Sequence, residues 1–365
     1  MMRIAVALLA VLAIGQAEAR LSNAYWNTHG QGVVQNGTQS GKVATWLKGD
    51  TPLDVYIAEP ANAKPIAAVV IFTDIYGFEF SNTRLWADRL AKKGGFLVVI
   101  PDFFRGDALT DATRNTSAVW RTRHPKDRVL KDFTAVLAEL KKAYPSVKKI
   151  GQQGFCWGGG YSVWLSAAGA PKIAAAVGYH ISAVTAADID AITGPISLQQ
   201  SDPALDNSVN ETLYAYIEKT FKAKRAKGIP AYTTFYKGFP HGFSLRGNLS
   251  DPAYAKAAST AFYEGVKFLK ARLLPPTDPI SRVVALKNSL LKSAQSAVAQ
   301  VVAAPKAAAP KAAAPKAEAA APKAEAAAPK AEAAAPKAAA AAPKAEAAAP
   351  KAAAAEAEAA PATKP

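Results

Sequence analysis

One segment of the chain combines closely spaced glycines with the single cysteine of the sequence. Residues 147–162 read VKKIGQQGFCWGGGYS, with Cys156 between Gly154 and Gly158. The apolar run before Cys156 predicts a strand and the pattern after it predicts a helix, which puts the thiol at a sharp strand-to-helix turn. A helix N-terminus at that point favours a thiolate and a developing oxyanion. We interpret Cys156 as a nucleophile; the alternative is a buried cysteine in a glycine-rich turn.

A cysteine nucleophile needs a base, and the chain has four histidines. His241 lies in a Pro-His-Gly-Phe loop between a predicted strand and the closing predicted helix. It also follows Cys156 and an acid in the chain order nucleophile, acid, histidine. We therefore favour His241 as the base. His180, which also ends a predicted strand, is the competitor.

The base needs an orienting carboxylate, and two aspartates are candidates. Asp202 comes soon after the predicted strand 196–198, and Asp206 follows four residues later. We favour Asp202 because sites in such sheets gather at strand ends. The alternative is that Ser201-Asp202-Pro203 forms only a turn.

An oxyanion would be held by two backbone N–H groups. The expected donors are Trp157, directly after the nucleophile, and Ile75, in the loop after the strand 67–72. Asp74 would face the same pocket, where it could hold the cysteine, bind a polar substrate group or pair with Arg105. Its simpler role would be to cap a turn or helix.

Apolar runs alternate with helical patterns through the middle of the chain. Four predicted strands are buried runs, at 67–72, 96–100, 173–178 and 196–198, and two further strands are predicted at 147–151 and 231–236. Predicted helices follow at 82–93, 129–144, 209–227 and 252–273. This alternation predicts an α/β fold with a doubly wound, mostly parallel sheet flanked by helices. Short antiparallel edge strands are expected at 43–47 and 53–58.

The two ends of the chain differ in composition from the middle. Residues 1–19 have the basic start, apolar centre and Ala-Glu-Ala end of a secretory signal, which predicts export and a mature chain from Arg20. Residues 20–275 form the predicted domain, and residues 276–302 a predicted amphipathic helix or connector. Residues 303–365 repeat Ala, Pro, Lys and Glu, which predicts a disordered tail.

The chain is basic, with a formal net charge of +16. Most of that charge lies between the predicted signal and the tail, where it could attract an anionic substrate. The basic residues are scattered and match no nucleic-acid-binding motif, so we expect no nucleic-acid partner.

Taken together, residues 50–272 resemble the dienelactone hydrolase family, closest to its eukaryotic-type branch. The resemblance rests on GFCWGG at 154–159, DIYG at 74–77, PDFFRGD at 101–107 and HGF at 241–243 with Arg246 after it. It implies an α/β-hydrolase fold, a Cys-Asp-His triad and hydrolysis of a small ester or lactone without metal or cofactor. It also implies substrate-binding roles for Asp74, Arg105 and Arg246, although Asp74 stands where the best-known members have glutamate.

Two other functions fit parts of the sequence. A secreted, non-catalytic carbohydrate- or surface-binding protein could keep this fold and use the tail for contact with a surface or cell wall. A glucan-directed glycosidase would need two opposed carboxylates. An unreactive Cys156 would favour the first, and the separation of Asp74 from Asp202 bears on the second.

Overall fold

The computed structural model describes residues 32–47, 52–61 and 64–276, together with residues 283, 287, 290, 291 and 293–295. The residues after 276 that are described are helical. The predicted signal at 1–19 and tail at 303–365 lie outside the described residues, so they stay predictions. In the part of the chain that is described, no helix is both long and apolar enough to span a membrane.

Eight strands form one sheet. They are β1 (Lys42–Trp46), β2 (Leu53–Ala58), β3 (Ala67–Phe72), β4 (Leu97–Pro101), β5 (Lys149–Phe155), β6 (Ala175–Tyr179), β7 (Ile196–Ser201) and β8 (Ala231–Tyr236). Their order in the sheet is β1-β2-β4-β3-β5-β6-β7-β8. β1 and β2 pair antiparallel at one edge, and the strands from β4 to β8 pair in parallel. This confirms the predicted fold class, including the antiparallel edge.

Helices lie between the parallel strands along the chain and after the last of them. They are α1 (Ser81–Gly94), α2 (Ser117–Arg123), α3 (Lys126–Ala143), α4 (Trp157–Trp164), α5 (Ala186–Asp190), α6 (Glu211–Ala226), α7 (Phe243–Arg246) and α8 (Pro252–Leu273). Turns of 3₁₀ helix occur at Arg114–Thr116 and Asn207–Val209. The short helices α5 and α7 were not predicted, because one or two turns carry too little apolar periodicity to read.

Both faces of the sheet are covered. Along β3, Val69 and Ile71 belong to the apolar layer that includes α1 and α8, while Val70 and Phe72 belong to the layer that includes α3. Alternate residues of a strand point to opposite faces. A strand between two apolar layers therefore has apolar residues at every position, which is why β3 reads as an unbroken apolar run.

One strand end differs from the prediction in a way that affects the site. β7 continues to Ser201, three residues beyond the predicted strand. Asp202 is therefore the first residue after the strand, and Asp206 lies one short loop further on.

Candidate active site

Cys156 sits at the sharp turn between β5 and α4. Its backbone has φ 52° and ψ −110°, in the left-handed half of conformational space that residues with a side chain rarely adopt. The turn is tight because β5 and α4 nearly touch: a Cβ on Gly154 would strike the Gly158 carbonyl, and a Cβ on Gly158 would strike the Phe72 carbonyl. Glycine at both positions is thus a steric requirement of the turn.

Three side chains form a connected row at the carboxyl edge of the sheet. The Cys156 thiol lies close enough to the His241 ring for each group to shift the pKa of the other. Nδ1 of His241 lies 2.7 Å from Oδ2 of Asp206, so its Nε2 is the nitrogen that remains for the thiol. The side chains of His241 and Asp206 are 22% and 2% exposed. This is the arrangement of a nucleophile, a base and an orienting acid.

The acid beside His241 is Asp206 and not the favoured Asp202. The Asp202 carboxylate accepts hydrogen bonds from the backbone N–H groups of Ala204, at 3.0 Å, and Gly238, at 2.7 Å. The Leu205 N–H also donates to the Asp202 carbonyl. Asp202 thus closes the turn that was the alternative in the sequence, and that turn brings Asp206 back toward His241.

Cys156, His241 and Asp206 stabilise one another's charged forms. Burial raises the pKa of the Cys156 thiol, but the charge and hydrogen bond of His241, together with Arg246, bring it below its usual value. Burial lowers the pKa of His241, whereas Asp206 and the Cys156 thiolate raise it to about 10. Burial likewise raises the pKa of Asp206, and His241 brings it below its usual value. The row therefore favours a thiolate–imidazolium pair beside an ionised aspartate.

The two predicted oxyanion donors belong to the helix that begins after Cys156 and to the loop after β3. Trp157 is the first residue of α4, so its N–H has no acceptor within the helix. The amide after it, Gly158, donates to the Thr73 carbonyl at 3.1 Å. Ile75 lines the cavity in front of Cys156. The next amide along that loop, Tyr76, donates to the Asp74 carboxylate. Both predicted oxyanion donors thus lie in the segments that meet at Cys156.

Asp74 and Arg246 form a buried ion pair behind the cavity. Nε of Arg246 lies 3.1 Å from Oδ2 of Asp74, and the two side chains are 8% and 0% exposed. Burial raises the pKa of Asp74, and Arg246 opposes that shift. Asp74 is therefore paired with Arg246 rather than with Arg105, the partner weighed from the sequence.

Arg105 lies apart from this site, contrary to its predicted substrate-binding role. Its guanidinium holds both carboxylate oxygens of Asp132, at 2.7 and 2.9 Å. It lines a different cavity, together with His124 and Arg128. The bidentate bond to an acid on α3 fixes Arg105 there.

A cavity of about 320 Å³ opens onto Cys156. Ile75, Leu205 and Pro240 give it apolar walls, and Arg114 and Arg246 add two cations. Arg114 was not predicted from the sequence. It lies in the segment between β4 and α2, where no sequence motif indicated a functional residue.

Two residues just after β6 also contact the row of Cys156, His241 and Asp206. The Ser182 hydroxyl lies 3.7 Å from the Cys156 sulfur, and its N–H donates to the Cys156 carbonyl. The His180 ring packs against the His241 ring, with centroids 5.0 Å apart. His180, the competing base, is thus next to the base position but does not occupy it. Ser182 was missed because nothing in the local sequence distinguishes it.

Comparison with known proteins places these features in a family. The sequence model of the dienelactone hydrolase family matches residues 53–273. Hydrolase tropI of Talaromyces stipitatus is 29% identical over 59% of this chain and 85% of its own length. An endo-1,3;1,4-β-D-glucanase of Zea mays is 32% identical over 44% of this chain and 49% of its own length. The crystal structure of P91, a dienelactone hydrolase-like promiscuous phosphotriesterase from metagenomic libraries, has a TM-score of 0.50 and 20% identity. That match covers 64% of this chain and 99% of P91.

Proposed function

The chain belongs to the dienelactone hydrolase family, and from this premise we propose that it hydrolyses a small carboxylic ester or lactone through Cys156, His241 and Asp206. The family establishes a hydrolase of this type. The observation that supports the residue roles is the row from thiol to imidazole to carboxylate, which opens on a cavity of small-molecule size.

The first half of the reaction is acyl transfer to sulfur. The Cys156 thiolate attacks the carbonyl carbon, and the N–H groups of Trp157 and Ile75 stabilise the resulting oxyanion. As the ester C–O bond breaks, His241 gives its proton to the leaving oxygen. A thioester and a free alcohol result; with a lactone, the alcohol stays tethered to the acyl group.

The second half depends on a change of charge at sulfur. Once Cys156 is acylated it carries no negative charge, so one of the two groups that raise the pKa of His241 has gone. His241, neutral after the first half, can then take a proton from water. The hydroxide attacks the thioester and the C–S bond breaks. The carboxylic acid leaves, and the thiolate–imidazolium pair forms again in the enzyme.

The cavity lining bears on the substrate. Two arginines, Arg114 and Arg246, line the cavity in front of Cys156. We propose that they favour an ester or lactone that also carries an anionic group, since guanidinium groups bind carboxylates well. The buried Asp74 holds Arg246 from behind, which makes it a positioning residue for that cation.

A glycosidase mechanism has less support. It needs two carboxyl groups facing one another across the substrate. Among the described residues that line this cavity, Asp206 is the one acid, and it is bonded to His241. Asp74 pairs with Arg246, and Asp202 closes a turn. The similarity to a plant glucanase therefore does not lead us to propose glucan cleavage.

The test is hydrolysis of an activated small ester and of a dienelactone by the wild-type chain, by Cys156→Ala and by enzyme treated with iodoacetamide. Because the sequence has one cysteine, alkylation modifies this thiol alone. We expect turnover to fall by at least about 10³-fold in both cases, the scale of losing a catalytic nucleophile.

A matched control separates loss of chemistry from loss of fold. Cys156→Ser keeps the shape of the side chain but replaces the thiolate by a poor nucleophile, so it should fold like the wild type and lose most activity. Full turnover after alkylation or in Cys156→Ala would refute the cysteine mechanism. Binding of a polysaccharide with an unreactive thiol would favour the non-catalytic alternative.

A further inference from the structure

One buried histidine next to the active site has no role in the reaction described above. His180 follows β6 directly, and its side chain is fully buried. We propose that His180 is a positioning residue for His241, which keeps the imidazole between the Cys156 thiol and the Asp206 carboxylate. The proposal concerns how the proposed base is held, so it rests on the proposed function.

The first argument is a hydrogen bond to the element that carries His241. Nε2 of His180 lies 3.0 Å from the Ser244 hydroxyl, and Ser244 is three residues after His241, in α7. The His180 N–H donates to the Gln199 carbonyl of β7 at 2.8 Å. His180 therefore connects the central sheet to the short helix that follows the base.

The second argument is the packing of the rings. The His180 and His241 rings meet at 65°, with centroids 5.0 Å apart. Phe155 and Phe243 lie on other sides of His180, with centroids 6.0 and 6.1 Å away. The His180 ring therefore has little room to move, because protein interiors are close-packed. It blocks the rotation by which His241 would lose its contacts with Cys156 and Asp206.

The third argument is charge. The groups that act on His180 are His241, in the loop before α7, and Arg246, at the end of α7. Burial, followed by these two cations, holds the pKa of His180 well below its usual value. A neutral imidazole at this position lets His241 carry the proton. A fixed charge there would oppose it.

The backbone conformation of His180 determines which substitution is suitable as a test. His180 has φ 36°, a left-handed conformation that costs free energy for a residue with a side chain. Asparagine tolerates this conformation better than most residues. Replacing His180 by asparagine should therefore not strain the backbone, while the shorter side chain gives up the bond to Ser244 and the ring contact.

The experiment measures the rate of Cys156 alkylation by iodoacetamide against pH, because that rate follows the thiolate and needs no substrate. His180→Asn and His180→Phe are compared with the wild type. Phenylalanine keeps an aromatic ring and loses the hydrogen bond. We expect the midpoint of the profile to rise by about one pH unit in His180→Asn, which means about tenfold slower alkylation below the midpoint. The shift in His180→Phe should be smaller, and Ser244→Ala should resemble His180→Phe.

A matched control uses His124, a buried histidine that pairs with Asp107 instead of belonging to the Cys156 row. His124→Phe removes a buried imidazole that lines a different cavity from Cys156, so its melting temperature should fall while its alkylation profile stays that of the wild type. His180→Asn and His180→Phe profiles that superimpose on the wild-type profile would refute the positioning role. A shifted profile in an enzyme without esterase activity would instead support the positioning role and refute the hydrolase mechanism.

Discussion

Two histidines of this protein are each paired with an aspartate, yet their environments shift their pKa values in opposite directions. Nδ1 of His241 lies 2.7 Å from Asp206, and Nε2 of His124 lies 2.9 Å from Asp107. The distances are nearly the same. Nevertheless the pKa of His241 is raised to about 10, whereas that of His124 is lowered.

The difference comes from what else each ring and each carboxylate touches. His124 is buried, and its second nitrogen lies 2.8 Å from the Arg128 guanidinium, which opposes a further positive charge. Its partner Asp107 is 43% exposed and also bonds Arg123. The second nitrogen of His241 instead faces the Cys156 thiol. The His241–Asp206 pair thus favours the imidazolium because the remaining neighbour of the ring can become an anion.

The largest expected effect is at Asp206, the aspartate that pairs with His241. Asp206→Asn removes the buried carboxylate that raises the pKa of His241, so both the imidazolium and the thiolate should become less stable. We expect kcat/KM for an activated ester to fall by about 10³- to 10⁴-fold, the scale seen when an orienting acid is neutralised. Steady-state hydrolysis at neutral pH measures it.

The matched variant is Asp107→Asn, which removes the carboxylate of the other pair. Asp107 is partly exposed, so we expect esterase activity to change less than about twofold and stability by less than about 1 kcal/mol. Equal losses of activity in the two variants would show that the comparison between the pairs is wrong.

The pH dependence of the thiol sharpens the same comparison. The pKa of Cys156 is lowered and that of His241 is raised. As the pH rises, the thiol therefore loses its proton to form the ion pair well before His241 loses its own. The rate at which iodoacetamide modifies Cys156 should therefore fall less between pH 9 and neutral pH than that of a free thiol with a pKa of about 8.5, which falls at least tenfold.

Asp206→Asn provides the internal check for that profile. Without the carboxylate, the alkylation midpoint should move up toward that of a free thiol. A wild-type profile that already follows a free thiol would contradict the ion pair, whatever the esterase activity.

The smallest expected effect is at Asp202. Its carboxylate accepts hydrogen bonds from Ala204 and Gly238 and does not reach His241. Asp202→Asn keeps an acceptor oxygen for the turn, so kcat/KM should stay within about twofold of the wild type. Asp202→Ala should lower the free energy of unfolding by about 1 kcal/mol for the lost hydrogen bonds. A loss of activity in Asp202→Asn as large as that in Asp206→Asn would restore Asp202 as the acid.

The sequence alone predicted the elements that carry the site. The buried strand β3 and the edge strand β8 were predicted with their observed ends, because each is a short run of strand-forming residues. The turn at Cys156 and the loop at His241 could also be read locally. Their glycines and the chain order of nucleophile and base are features of short segments.

Only the tertiary structure decided which charged side chains meet. Asp202 and Asp206 lie in the same loop after β7. The N–H groups of Gly238 and Ala204 bind the Asp202 carboxylate, and Asp206 is the aspartate that contacts His241. In the same way, Asp132 on α3 draws Arg105 away from the site, while Asp74 holds Arg246 within it. A local pattern fixes strands and turns because their hydrogen bonds and apolar faces are local. The partner of a charge depends on residues that are distant in the chain, and it is settled only when the strands and loops are packed together.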